Sequence, residues 1–105
     1  MGLAYKKNID DWRESPSIEV AALLQKRGAT IQFADPHINE VEVSEITHGC
    51  APLNQAALES ADLVILLTDH DAFDLPLIVK HASVLFDTRG ATRHLADKAN
   101  NIHLL

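Results

Sequence analysis

Residues 2–17 have the sequence GLAYKKNIDDWRESPS, and the interpretation of the whole chain begins with them. A short apolar run over residues 2–5 is followed by a densely charged loop and then by Ser15-Pro16. Serine is a preferred N-cap residue and proline fits the first turn of a helix, so this dipeptide predicts where a helix begins. The stretch therefore predicts the end of a strand, a charged loop and the start of a helix.

Two lysines, Lys6 and Lys7, come directly after the predicted strand. Ligands of open α/β sheets bind at the carboxyl ends of strands, and the N-terminus of a helix favours anions. We therefore expect Lys6 and Lys7, facing the helix that begins at Pro16, to bind an anionic ligand, for which a phosphate is the best fit.

The next segments predict a βαβ unit. Residues 16–27 carry an apolar stripe at helical spacing, and Gly28 suits the position just after a helix. Residues 30–34 predict a short strand that Asp35-Pro36 ends. Strands joined by a helix in this way are parallel.

The rest of the chain continues the alternation of strands and helices. Further strands are predicted at residues 62–68, 83–87 and 101–105, and short helices at residues 53–61 and 75–81. Residues 41–43 alternate and fit either an edge strand or an extended loop. We predict an α/β fold, a Rossmann-like three-layer sandwich with a mostly parallel sheet. The first strand is expected to be truncated, because only about four residues precede the lysines and strands usually have about 5–6.

Composition limits the partners and the compartment. The formal net charge of −6 argues against nucleic acid or an anionic membrane as the main partner, since both favour basic surfaces. The single cysteine excludes an internal disulfide, and a reducing cytoplasm is expected. The N-terminal residues do not resemble a signal peptide, and the six histidines lack metal-ligand spacing, so no metal site is expected.

Three predicted strand ends carry polar residues that should meet at one rim of the sheet: Lys6-Lys7, Thr68-Asp69-His70 and Asp87-Thr88-Arg89. Arg89 suits a phosphate because its guanidinium can bind two oxygens at once, although an ion pair with Asp87 is the alternative. Thr68 and His70 are candidates for contact with the ligand or a neighbouring domain.

Arg13 lies between Asp11 and Glu14, which leaves two interpretations open. The arginine forms an ion pair that orders the charged loop, or it helps to hold the ligand or another domain. Ser15 is expected to cap the helix that follows it.

Several motifs together resemble the C-terminal, nucleotide-sugar-binding domain of the UDP-glucose/GDP-mannose dehydrogenase family. They are Tyr5-Lys6-Lys7-Asn8, Asp11-x-Arg13-Glu14-Ser15-Pro16, Asp35-Pro36, Thr68-Asp69-His70 and Asp87-Thr88-Arg89, in that order. The similarity covers residues 2–89. The sequences of the first two motifs are most similar to those of family members that oxidise UDP-N-acetylhexosamines.

This resemblance implies a function for a longer protein. Enzymes of the family have an N-terminal NAD-binding domain, a helical dimerisation region and this C-terminal domain. They oxidise the C6 alcohol of a nucleotide sugar to a carboxylate in two NAD-dependent steps. Residues 1–105 are therefore expected to be the UDP-binding domain, a C-terminal fragment of a dehydrogenase that forms a homo-oligomer. Lys6 matches the family's ligand-contacting lysine, and Arg89 matches the arginine after the later strand.

The chain also departs from a complete dehydrogenase. It has no GxGxxG fingerprint, so NAD is expected to bind to the other domain of the parent enzyme. Cys50 lies in the sequence THGCAP, which is not the family's catalytic setting, so this chain is expected to have no catalytic residue and to be inactive alone. Because the GxGxxG fingerprint is absent, Asp35 is expected to form a turn before Pro36 rather than bind a ribose.

One alternative is a non-catalytic α/β regulatory or interaction module, either receiver-like or without a ligand. Asp10-Asp11 resembles the acidic pair of a receiver domain, and Asp69 could accept a phosphoryl group. However, Arg89 lies where such a domain requires a lysine.

Overall fold

A computed structural model describes residues 1–2, 16–43, 46–51, 53–96 and 99–105. These residues form short helices and strands that alternate except where two strands follow one another. In chain order they are α1 (Pro16–Lys26), β1 (Glu40–Val43), β2 (Ile46–Gly49), α2 (Gln55–Ser60), β3 (Val64–Leu66), α3 (Leu75–His81), β4 (Leu85–Asp87), α4 (Arg93–Ala96) and β5 (Ile102–Leu104).

Local hydrogen bonds stabilise the end of α1 and the start of α2. At the end of α1, Gly28 has a φ of 97° and its N–H donates to Gln25 O, while Ala29 N–H donates to Leu24 O. This Schellman arrangement satisfies carbonyls that the helix leaves unpaired. Asn54 caps α2 by accepting a hydrogen bond from Ala57 N–H.

The central sheet is parallel, as predicted. Its strands β3, β4 and β5 are adjacent in that order, with Val64 opposite Leu85 and Leu85 opposite Ile102. Residues 41–43, which the sequence left open, belong to the antiparallel hairpin of β1 and β2. No described helix has the length and apolar character needed to cross a bilayer.

Met1 and Gly2 lie between β3 and residues 33–35. The Met1 nitrogen donates to Ile65 O at 2.7 Å, and Leu67 N–H donates to Met1 O at 2.9 Å. On the other side Gly2 N–H donates to Ala34 O at 3.0 Å. These bonds alternate between two neighbours, so the two residues hold the position of a central parallel strand.

The predicted strand at residues 30–34 is reduced to a bridge. Phe33 pairs in parallel with Cys50, and Phe33 O accepts a bond from Ala51 N–H. On the opposite edge Ala34 O accepts a hydrogen bond from Gly2 N–H. The ladder is too short to count as a strand.

The hydrophobic core forms two clusters. The first joins α1 to the hairpin and consists of Ala21, Phe33, Ile38, Val41 and Val43. The second joins α2 and α3 to the parallel sheet and consists of Leu58, Val64, Leu66, Ile78, Ala82 and Leu85. Right-handed crossovers that run in opposite directions along a sheet place their helices on opposite faces. The described residues therefore have helices on both sides of the sheet.

Candidate functional site

Neighbouring chain segments meet at the carboxyl edge of the sheet. A Cβ atom built on Gly2 would overlap the backbone carbonyl of Thr68 and lie 2.6 Å from its nitrogen, and the φ of Gly2 is +78°. Only glycine adopts this conformation readily at such a close approach. Gly2 thus lies directly against the backbone of Thr68. Residues 3–15, which include the predicted ligand loop, lie outside the described structure.

Asp35 and His70 form a buried pair beneath this edge. Asp35 Oδ2 lies 2.9 Å from His70 Nε2, and both side chains are fully shielded from solvent. The other carboxylate oxygen accepts a bond from His37 N–H at 2.8 Å, which makes the turn across Pro36. The pair therefore ties the segment that ends at residue 35 to the segment that follows β3, on either side of Gly2.

Aromatic groups enclose the imidazole of His70. The ring of His37 lies 4.7 Å from it and the ring of Phe73 lies 5.6 Å from it, both edge-on. A cavity of about 240 Å³ opens beside the pair, between Pro36 and Phe73. Its charged lining residues are Asp35 and Asp74, so it is a poor place for a phosphate.

Asp87, at the end of β4, organises the loop that carries Arg89. One carboxylate oxygen accepts the N–H groups of Arg89 and Gly90, each at 2.9 Å. The other accepts both the N–H and the hydroxyl of Thr92 at 2.7 Å. Burial tends to raise the pKa of Asp87, but the hydrogen bonds from Thr92 and from the backbone N–H groups of Arg89 and Ala91 outweigh it and lower the pKa.

Arg89 is exposed and directed by a backbone contact rather than by Asp87. Its Nε–H donates to Leu67 O at 2.6 Å, so the side chain crosses from the end of β4 to the end of β3. Thr88 makes the same crossing through its N–H and its hydroxyl, which donate to Leu66 O. Within the described residues this is the only hydrogen bond of the guanidinium.

The structure brings together three of the six residues that the sequence selected. Thr68, His70 and Arg89 lie on adjacent strand ends at the open edge, which we call the rim. Thr68 and His70 are buried, with 0% and 2% of their surfaces exposed, whereas Arg89 faces solvent. The other three candidates, Lys6, Lys7 and Arg13, lie outside the described residues, as does the proposed cap Ser15.

Sequence reasoning missed the link between Asp35 and His70. The signal available in the sequence was that each of the two residues follows a predicted strand. Their pairing depends on which strands are adjacent in the sheet, and this strand order was not predicted from the sequence. The role of Asp87 as an acceptor of backbone bonds was also missed, because its neighbour Arg89 suggested an ion pair.

A second group of ionisable residues lies near Asp35. Burial lowers the pKa of the Met1 α-amino group to about 6, although the charges of Asp35 and Cys50 act in the opposite direction. Burial raises the pKa of the Cys50 thiol, and Asp35 adds to this effect. Among the described residues, no cluster of His, Cys, Asp and Glu has the arrangement needed to hold a metal ion.

Comparisons with known proteins identify the family to which the chain is similar. Residues 1–94 match the model of the UDP-glucose/GDP-mannose dehydrogenase family, UDP binding domain. The chain is 41% identical over 92 residues to NDP-N-acetyl-D-galactosaminuronic acid dehydrogenase of Ralstonia nicotianae, a match covering 85% of this chain and 21% of that protein. It is 34% identical over 101 residues to UDP-N-acetyl-D-mannosamine dehydrogenase of Methanococcus maripaludis, covering 89% of this chain and 22% of that protein.

The enzyme of the same name from Escherichia coli is 41% identical over 76 residues, which cover 69% of this chain and 17% of that protein. The chain thus spans about a fifth of the length of the curated relatives that it matches. No solved structure matches it significantly.

Proposed function

Since the chain belongs to the UDP-glucose/GDP-mannose dehydrogenase family and matches that family's UDP binding domain, we propose that its rim binds the UDP part of a nucleotide sugar. The observation that carries this proposal is the placement of Arg89. Its guanidinium is exposed at the carboxyl end of β4, and Leu67 O fixes its direction. A planar guanidinium with N–H groups to spare suits the oxygens of a diphosphate.

The other candidate residues take supporting parts in this proposal. Lys6 is the second direct contact, and Lys7 and Arg13 add positive charge on the same loop. Thr68 and His70 are buried, which favours a role in holding the rim rather than in touching the ligand. Their contribution would be to keep the exit of Gly2 and the loop beyond β3 in fixed positions.

The wider activity belongs to a longer protein. We propose that residues 1–105 act as the C-terminal UDP-binding part of an NAD-dependent dehydrogenase that oxidises the C6 alcohol of a UDP-N-acetylhexosamine to a carboxylate. NAD would bind to a separate N-terminal domain, which is also the main protein partner, and the enzyme would act as a homo-oligomer. The proposed location is the cytoplasm, which the single cysteine supports.

Calorimetric titration tests the binding role directly. UDP is titrated into the purified chain, with GDP and NAD as competing ligands, and we expect binding of UDP that weakens as salt is added. Replacing Arg89 with glutamine should weaken UDP binding by roughly 10- to 100-fold, the value of one or two hydrogen bonds to a charged group.

The control is Arg93→Gln, which removes the same charge from an exposed residue of α4. It should change UDP binding less than about twofold, because an exposed charge without direct contact contributes little. Equal losses of UDP affinity in the two variants would show that binding depends only on the overall positive charge and not on a direct contact of Arg89. Undetectable binding of UDP by the unmodified chain would refute the proposal for residues 1–105.

A further inference from the structure

The strand β1 lies at an edge of the β structure. It pairs with β2 on one side, and β2 leads directly to Cys50, which forms a bridge with Phe33. Among the described residues, no strand pairs with the other side of β1. One side of β1 is therefore a strand edge without a neighbour.

The hydrogen bonds of the hairpin show which backbone groups face this edge. Cys50 N–H donates to Asn39 O at 2.8 Å, so these two residues form a hydrogen-bonded pair. Hydrogen-bonded and non-hydrogen-bonded pairs alternate along an antiparallel ladder, so the pairs that contain Glu40 and Glu42 are of the second kind. The N–H and C=O groups of these two residues thus point away from β2. Outside the ladder, no backbone bond of the described residues uses them.

The side chains of β1 alternate between the core and solvent. Val41 and Val43 are each 1% exposed and belong to the first core cluster. Glu40 and Glu42 are exposed on the opposite face. No hydrogen bond or ion pair between described residues involves either carboxylate. The edge therefore combines outward backbone groups with two negative charges that are two residues apart.

The sequence around the hairpin supplies no permanent positive charge. Residues 28–79 contain five aspartates and four glutamates but no lysine or arginine. The nearest such residues along the chain are Arg27, which follows α1, and Lys80 in α3. A segment that pairs with β1 therefore meets a negative surface, which attracts basic side chains and repels acidic ones.

A second copy of the chain is a poor partner for this edge. Two copies of β1 that pair through the edge would place glutamates opposite glutamates, with their Cβ atoms about 4.5–5.5 Å apart. Like charges directly opposite one another destabilise a sheet, and charged side chains commonly protect strand edges from self-association. The same two charges that oppose pairing of β1 with itself favour a basic strand.

We propose that the edge of β1 binds an extended segment of a partner protein, with lysine or arginine at alternate positions, as an added antiparallel strand. The basic residues lie opposite Glu40 and Glu42 and exchange hydrogen bonds with their outward N–H and C=O groups. The residues between them are apolar and lie on the face that Val41 and Val43 share. In strand addition the backbone bonds supply affinity and the alternate side chains supply specificity. This surface does not depend on the proposed binding of UDP.

Nuclear magnetic resonance with a short peptide tests the proposal. The capped peptide Val-Lys-Val-Lys-Val is added to the purified chain, and amide exchange is measured residue by residue. At a peptide concentration about four times Kd, the amide protons of Glu40 and Glu42 should exchange about fivefold more slowly, because only the unbound fraction exchanges. The peptide Val-Glu-Val-Glu-Val should not slow them. Equal protection by the two peptides would overturn the proposal.

Methylation of peptide nitrogens separates strand pairing from charge attraction. In the antiparallel arrangement the N–H groups of the two lysines point to β1, whereas that of the middle valine points away. Methyl groups on the two lysine backbone nitrogens should therefore abolish the protection of Glu40 and Glu42. A methyl group on the nitrogen of the middle valine should preserve it. Undiminished binding of the lysine-methylated peptide would overturn the proposal.

Charge reversal tests the two glutamates. The double variant Glu40→Lys/Glu42→Lys should bind the basic peptide at least about tenfold more weakly and should bind the acidic peptide instead. The control Glu59→Lys/Asp62→Lys makes the same change in net charge at exposed residues on and after α2, and it should lose less than about threefold. Equal losses in the two double variants would overturn the proposal. A dimeric mass of the unmodified chain, with Glu40 and Glu42 protected in the absence of peptide, would also overturn it.

Discussion

Asp87 fixes the loop that presents Arg89, and replacing it with alanine is expected to lower the free energy of unfolding by about 2–6 kcal/mol. The carboxylate is fully buried and accepts four hydrogen bonds, two of which come from the buried groups of Thr92. Each buried donor left without an acceptor costs roughly 1–3 kcal/mol. The N–H groups of Arg89 and Gly90 are only partly buried, so water can replace the acceptor there. The loss is a large share of a total stability of about 5–15 kcal/mol.

Asp87→Asn is the matched variant, because it preserves the shape and one acceptor oxygen. We expect it to lose about half as much stability as the alanine variant, since its amide group meets donors on one side. Urea unfolding at pH 7, with the slopes compared to exclude a change in the unfolded state, gives both values. A loss of less than about 1 kcal/mol for Asp87→Ala would refute the idea that this carboxylate holds the loop.

The same residue predicts a dependence on pH. The pKa of Asp87 is lower in the folded chain than its ordinary value. Its stabilising effect is therefore complete above the unfolded pKa of about 3.9 and is lost as the pH falls through the lower folded pKa. Unfolding curves recorded between pH 5 and pH 2.5 should fall more steeply for the unmodified chain than for Asp87→Asn. Parallel curves would show that other carboxylates account for acid unfolding.

Two further substitutions test the rim. His70→Ala should lower the free energy of unfolding by about 3–5 kcal/mol in urea, because it leaves a cavity and deprives the buried carboxylate of Asp35 of this partner. The control is His37→Ala, which removes an exposed ring and should lower the free energy of unfolding by less than about 1 kcal/mol. Similar losses would contradict the assignment of the pair as the main link. Gly2→Ala should cost more than about 2 kcal/mol or prevent folding, because its Cβ overlaps the backbone of Thr68. Gly49→Ala is the control, since a Cβ there meets no atom within 4 Å, and thermal melts that shift equally would refute the argument.

Local signals were sufficient to predict α1, α2 and α3, whereas α4 was not predicted, because residues 91–100 are polar and their pattern is ambiguous. The end of α1 followed from Gly28, because a residue with positive φ after a helix is a short-range requirement that glycine meets. The parallel character of the sheet followed from the alternation of strands and helices. The hairpin of β1 and β2 was harder to predict, since the four residues of Glu40–Val43 alternate equally well in an edge strand and in an extended loop.

The geometry of the rim depended on contacts that are distant in sequence. Asp35 and His70 are 35 residues apart, and their pairing requires the strand order and the passage of Gly2 between them. Proximity in sequence was misleading for Asp87 and Arg89. The carboxylate turns back to accept backbone N–H groups, and the guanidinium extends to Leu67 O on the neighbouring strand.

The division of the core into two clusters bears on how cooperatively the chain unfolds. Among the described residues, the links across the boundary that we identify are polar: the backbone bonds of Met1 and Gly2, and the pair of Asp35 and His70. Each cluster loses its apolar burial as a unit, whereas these links can open one at a time. The rim spans that boundary. Its local stability is therefore set by the polar links rather than by either cluster, and a ligand held across it would couple the two halves into one folding unit.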